Sequence, residues 1–115
     1  WSKERRKMTA LALSPQMAEY LDYVKCRTIE EKLLALLESY VSSQLKECDR
    51  EIGDYEVKYR STFAEFAEAW KANAIPGKHS HLVERDYMEW EGLEAEKRRW
   101  LDLLKRLPRN GDAKF

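Results

Sequence analysis

Residues 28–60 read TIEEKLLALLESYVSSQLKECDREIGDYEVKYR, and this stretch decides the fold. It contains no proline, and Gly53 weakens a helix there by only roughly 1 kcal/mol relative to alanine. A helix over 29–60 would be about 48 Å long at ~1.5 Å per residue. That length exceeds what a compact chain of 115 residues needs. We therefore predict a long antiparallel helical hairpin, an oligomer, or both.

An apolar seam runs along this helix with alternating spacings of four and three residues. Such a heptad pattern is typical of a coiled coil, in which one helix packs lengthwise against another. We predict self-association through the seam, with residues 82–107 of the same chain and a second copy as facing helices. The seam residues are Val41, Leu45, Cys48, Ile52, Tyr55 and Tyr59.

Helix starts are marked by capping residues. Ser14-Pro15 places serine at the N-cap and proline at the first helical position, which predicts a short helix over 15–25. Thr28 and Thr62 are each followed three residues later by glutamate, the spacing of a capping box. The second box predicts a short helix over 63–72.

The remainder of the chain contains a loop, a last helix and an N-terminal arm. Pro76-Gly77 marks a loop over 73–81, and Pro108 ends a predicted helix over 81–107. Alternation over 9–13 suits a short strand or an extended arm. The predicted fold class is thus mostly α, with roughly 75% helix, far above the usual third. We divide the chain into a basic tail over 1–8, an assembly part over 9–60, a partner-binding part over 61–107 and a tail over 108–115.

Composition narrows the classes of function. Charged residues make up 37% of the chain, and the formal net charge is zero. Binding to nucleic acid driven by net charge is therefore not supported. No apolar run reaches the ~18 residues of a membrane helix, and residues 1–7 are basic without the apolar region of a secretory signal. We expect a cytoplasmic protein.

Chemistry-bearing motifs are scarce. The sequence has no GxSxG, GxxxxGK[ST] or GxGxxG motif, and Cys26 and Cys48 are best interpreted as buried small hydrophobes. His79, His81 and Glu84 are weak candidate metal ligands, but no second ligand cluster closes a coordination shell. We predict no enzyme, no cofactor and no metal.

Aromatic residues and segregated charge mark the C-terminal half. An aromatic row at helical spacing is either core or a set of anchors for a partner, since Trp and Tyr dominate interface hot spots. Charge in the last helix changes from mainly acidic over 84–96 to mainly basic over 97–109, which suits the helix dipole or a self-complementary antiparallel pairing. The candidate partner-binding residues are Trp70, Tyr87, Trp90 and Trp100.

Residues 8–45 resemble a ribbon-helix-helix unit: a short strand, Ser14-Pro15, a short helix, a turn, and TIEEKLL over 28–34. The resemblance implies dimerisation through the strand and binding to operator DNA. Ala10 and Ala12 stand where that family places polar or basic residues that read bases. We keep DNA regulation as an alternative. Its candidate contacts are Lys3, Arg5, Arg6 and Lys7.

Residues 62–70 (TFAEFAEAW) and 75–93 (IPGKHSHLVERDYMEWEGL) resemble a group of small archaeal and bacterial helical proteins. The genes of that group often sit beside small toxin-like genes, and its members are taken to be antitoxin components. The resemblance covers roughly residues 28–107. It implies a non-enzymatic protein that acts as a homodimer or with a small, toxin-like protein partner. A small metal-binding helical protein is the second alternative.

Overall fold

Four helices account for about three quarters of residues 12–108, the part of the chain that the computed structural model describes. They are α1 (Pro15–Leu21), α2 (Ile29–Tyr59), α3 (Phe63–Lys71) and α4 (His81–Arg106). The mostly helical fold class is confirmed. These described residues contain no strand. Of the predicted strand over 9–13, residues 9–11 lie outside the described part, and residues 12 and 13 have no regular secondary structure.

Each helix begins directly after a serine or threonine. The side-chain oxygen of this residue accepts a hydrogen bond from the backbone N–H three residues later, at 3.1–3.2 Å. The bond satisfies one of the four N–H groups that a helix start leaves without a partner. The four N-cap residues are Ser14, Thr28, Thr62 and Ser80.

The two capping boxes differ in their second hydrogen bond. At α3 the box is complete, because the Glu65 carboxylate accepts from the Thr62 backbone N–H at 2.8 Å. At α2 the Glu31 carboxylate instead accepts from the backbone N–H of Arg27, one residue earlier, at 3.3 Å. The Arg27 guanidinium also lies 3.8 Å from this carboxylate.

Helix α1 ends at Leu21, four residues earlier than the pattern predicts. The backbone tightens there, with the N–H of Val24 bonded to the carbonyl of Leu21 three residues back. A helix of two turns needs packing to be stable, and Leu21 is its one buried residue, while Tyr20 is exposed. The short packed face explains the early end.

Contacts between α2 and α4 run in opposite directions along the two helices. The Tyr40 ring meets Trp100, Cys48 meets Glu96, Tyr55 meets Glu89, and Tyr59 meets Asp86. Residues later in α2 therefore meet residues earlier in α4, so the two helices pack antiparallel. The reversal begins at Arg60, whose left-handed backbone (φ 51°, ψ 42°) ends α2.

The centre of the core lies where α3 closes over the α2–α4 pair. Four buried residues, Cys48, Ile52, Phe66 and Trp90, form it. The molecule is elongated, with extents of 58 × 37 × 25 Å and a radius of gyration of 20.7 Å. A compact domain of about 100 residues has a radius near 13 Å. The pair of long helices therefore extends well beyond this core.

Candidate functional site

The four aromatic residues predicted to bind a partner all pack against the core. Trp90 is fully buried, and its ring stacks on that of Tyr55 with a centroid distance of 5.6 Å. Trp70 and Tyr87 are half-buried, and their ring centroids are 4.5 Å apart. The ring of half-buried Trp100 meets that of Tyr40 edge-on. Trp90 is therefore a core residue in this fold and not an exposed anchor, because no partner can reach its ring.

The heptad seam faces α4 of the same chain. Val41, Cys48 and Ile52 are buried, and half-buried Tyr55 and Tyr59 donate hydrogen bonds to carboxylates of α4. Leu45 is half-buried. Val41, Cys48 and Ile52 are therefore covered within one chain, and self-association through the rest of the seam stays a prediction.

The remaining sequence candidates are not brought together into a chemical site. His79, His81 and Glu84 are exposed at the start of α4, and within residues 12–108 no three His, Cys, Asp or Glu side chains are grouped to hold a metal ion. Residues 3–7 of the basic tail, which contain the four candidate DNA contacts, lie outside the described residues.

Asp86 is a buried carboxylate that sequence patterns did not single out as functional. Its Oδ2 accepts hydrogen bonds from the Lys58 ammonium and the Tyr59 hydroxyl, each at 2.5 Å. Burial alone would raise the pKa of the Asp86 carboxyl, but these two bonds and the Lys58 charge hold that pKa below its ordinary value. Asp86 thus stays ionised and joins α2 to α4.

Two further polar contacts cross between the long helices. The Tyr55 hydroxyl donates to Glu89 at 2.6 Å, and the Cys48 thiol donates to Glu96 at 2.9 Å. Burial, together with the bonded carboxylate, raises the pKa of Tyr55 to about 12 and that of Cys48 to about 12. Both donors therefore stay neutral, and neither is a nucleophile or base at neutral pH.

A shallow hollow beside α3 has a volume of about 460 Å³. Its lining is mainly apolar, with Phe66, Ile75 and Pro76 among the lining residues. The carboxylate in this lining, Glu65, already caps α3. The hollow therefore lacks the convergent polar groups of a catalytic or ligand site.

A leucine depression opens at one end of the α2–α4 pair, with a volume of about 270 Å³. On α2 it adjoins Leu36 and Tyr40, whose side chains are 47% and 55% exposed, and Leu37 in its wall is 40% exposed. Its lining residues are Glu30, Leu33, Leu34, Leu37, Leu107 and Pro108. Large apolar side chains of α2 are thus open to solvent beside a concave surface.

An acidic depression of about 280 Å³ lies further along the same two helices. Glu51 comes from α2, and Glu89 and Glu96 come from α4. Its lining residues are Glu51, Tyr55, Glu89, Gly92, Leu93 and Glu96.

Helical geometry places the two depressions on one side of α2. Leu33 of the leucine depression and Glu51 of the acidic depression are 18 residues apart on this helix. Eighteen residues complete five turns of ~3.6 residues and span about 27 Å. On α2 the two depressions therefore face the same direction. We name them together the α2–α4 groove.

The sequence contained a signal for this groove. Leu33, Leu36, Leu37 and Tyr40 repeat at helical spacing, beside the seam that begins at Val41. Together they make the apolar stripe wider than a single facing helix covers. Periodicity alone does not show which part of this stripe remains exposed.

No helix within the described residues is both long enough and apolar enough to span a bilayer. Comparison with protein-family models, with curated proteins and with solved structures finds no match to this chain.

Proposed function

We propose that this protein is a non-enzymatic interaction module of the antitoxin type, which binds and neutralises or scaffolds a small protein partner through its helical faces. The leucine depression carries the proposal. Soluble proteins rarely leave several neighbouring large apolar side chains exposed unless a partner covers them, and Leu36, Leu37 and Tyr40 are exposed beside a concave surface.

In this proposal α2 and α4 act as an antiparallel helical hairpin that presents the groove. The protein works as a homodimer or together with its partner. A dimer would form on a surface other than the seam, because Val41, Cys48 and Ile52 are already buried within the chain. The division into an assembly part and a partner-binding part stays a prediction, and the groove takes residues from both.

The state of the polar groups in the groove supports binding rather than catalysis. Glu89 and Glu96 accept hydrogen bonds from Tyr55 and Cys48, whose pKa values are raised to about 12. A general base or nucleophile needs a pKa near the working pH. These donors stay protonated and hold the carboxylates in place.

Co-expression with the product of the adjacent gene tests the proposal. We expect a stable complex on co-purification and relief of any growth inhibition that the neighbouring product causes. Leu37→Asp should weaken the complex roughly tenfold or more, because a charge would be buried against apolar groups. Leu82→Asp is the matched control, since Leu82 is 62% exposed on α4 and lines neither depression.

Two results would reject the proposal. One is failure of the purified chain to bind the neighbouring product at all. The other is equal loss of binding in the Leu37 and Leu82 variants, which would mean that the leucine depression has no special part in the contact.

A further inference from the structure

The chemistry of the α2–α4 groove changes along its length. The leucine depression is apolar except for Glu30, whereas three carboxylates and no basic residue line the acidic depression. The bonds to Glu89 and Glu96 come from neutral donors, which leave the negative charges in place. Arg85 lies 3.8 Å from Glu89, but both side chains are more than half exposed, so this pair is weak.

A second copy of the chain is a poor occupant of this groove. A two-fold axis would pair the groove with itself. In one orientation the carboxylates of the two copies would face each other and repel. In the other orientation, carboxylates would be buried against leucines without a partner, which is strongly unfavourable. The groove therefore suits a different molecule.

We propose that the α2–α4 groove binds a basic amphipathic helix of a partner protein. Apolar side chains of that helix fill the leucine depression, and its Lys or Arg side chains reach Glu51, Glu89 and Glu96. About 18 residues would cover the ~27 Å between the two depressions. This is a helix-in-groove contact with an electrostatic end that fixes its direction. The inference rests on the proposed function, because it specifies the chemistry of that partner.

Synthetic peptides of about 20 residues are the direct probe, at ~1.5 Å per residue. One peptide carries leucines at i, i+3, i+4 and i+7 in one half and lysines on the same face in the other half. A second peptide has the reverse order, because the direction of the bound helix is open. Control peptides replace each lysine with glutamate. Binding to the full chain is measured by fluorescence anisotropy at about 50 mM and about 500 mM salt, so that screening varies.

We expect one of the two basic peptides to bind at least tenfold more tightly than its glutamate control, with the advantage shrinking at high salt. Glu51→Lys should weaken the basic peptide roughly tenfold and favour the glutamate peptide, because it reverses a charge in the acidic depression. Glu91→Lys makes the same charge change at an exposed residue of α4 outside the groove lining and should leave affinity unchanged. Leu37→Asp should abolish binding of the basic peptide and of its glutamate control.

Equal binding of the basic and glutamate peptides would overturn the inference, as would equal effects of the Glu51 and Glu91 variants. A co-purified partner that binds Glu51→Lys and Leu37→Asp as well as it binds the unchanged chain would also overturn it. This last result would not by itself remove partner binding as the function. Tight, groove-specific peptide binding without any protein partner from the adjacent gene would instead reject the proposed function and retain the groove assignment.

Discussion

Replacing Trp90 with alanine tests whether this residue is core or a partner anchor. Trp90 is 0% exposed, and its ring lies within 5.9 Å, centroid to centroid, of four other aromatic rings. Truncation of a fully buried tryptophan costs about 3–5 kcal/mol through lost transfer energy and the cavity left behind. Small domains are stable by only about 5–15 kcal/mol. We therefore expect Trp90→Ala to lose a large fraction of its stability.

The assay is urea unfolding followed by circular dichroism at the helix band, because tryptophan fluorescence would itself change with the substitution. Trp90→Phe should cost much less than the alanine variant. Phenylalanine keeps an aromatic ring, and it removes an indole N–H that has no hydrogen-bond partner among the described residues. Tyr23→Ala is the surface control, since Tyr23 is 85% exposed, and should change stability by less than about 0.5 kcal/mol.

A loss of unfolding free energy below about 1 kcal/mol for Trp90→Ala would refute the core assignment, because truncating a fully buried tryptophan costs more than that. If the same variant kept its stability but lost the co-purified partner, Trp90 would have to become accessible in the complex. The packing of α3 over the α2–α4 pair would then be open to rearrangement.

Three further predictions concern single residues. A thiol reagent at neutral pH should leave Cys48 unmodified in the folded chain and label it after unfolding, since Cys48 is buried and its pKa is raised to about 12. The experiment uses the Cys26→Ser variant, in which Cys48 is the one remaining cysteine. Rapid labelling of that folded variant would contradict the prediction. Gly53→Ala should raise the free energy of unfolding by roughly 1 kcal/mol, because nothing lies within 4 Å of an added Cβ. Gly77→Ala should lower it by about 1–2 kcal/mol, because the φ of Gly77 is +67°. Equal shifts of the urea midpoint in the two variants would contradict both predictions. The folded pKa of Asp86 lies below its unfolded value, so its contribution to stability is complete above the ordinary aspartate pKa of 3.8 and falls as pH drops through the folded pKa. Melting temperatures of Asp86→Asn should therefore depend less on pH below about 4 than those of the unchanged chain. Identical slopes of melting temperature against pH would show that Asp86 contributes nothing.

Local sequence signals predicted the helices well, because each rests on neighbours in the chain. The N-cap hydroxyls are short-range features, as are the helix ends set by a left-handed residue or by a following proline. Helix α2 begins at Ile29, directly after Thr28, as predicted. Glu31 accepts from the backbone N–H of Arg27 rather than from that of Thr28, a choice between two adjacent N–H groups that the motif alone does not decide.

The groove was harder to predict because it depends on how two helices are aligned. Periodicity shows that Leu33, Leu37 and Val41 share a broad side of α2, but it does not show which flank α4 leaves open. Likewise, Glu51 and Glu89 are 38 positions apart in the sequence. Only the antiparallel pairing brings them to one depression.

Two charged contacts interrupt the mainly apolar packing of α2 on α4. Asp86 meets Lys58, and Lys97 meets Asp49 at 2.6 Å. If α4 slid by one heptad towards the start of α2, most apolar residues would still face apolar residues, but Asp86 would move from Lys58 to the neighbourhood of Glu51. A buried carboxylate beside another is strongly unfavourable. The ion pairs thus select one alignment among near-equivalent ones, and a slip of seven residues would carry Glu89 about 10 Å away from the Tyr55 hydroxyl that it accepts from.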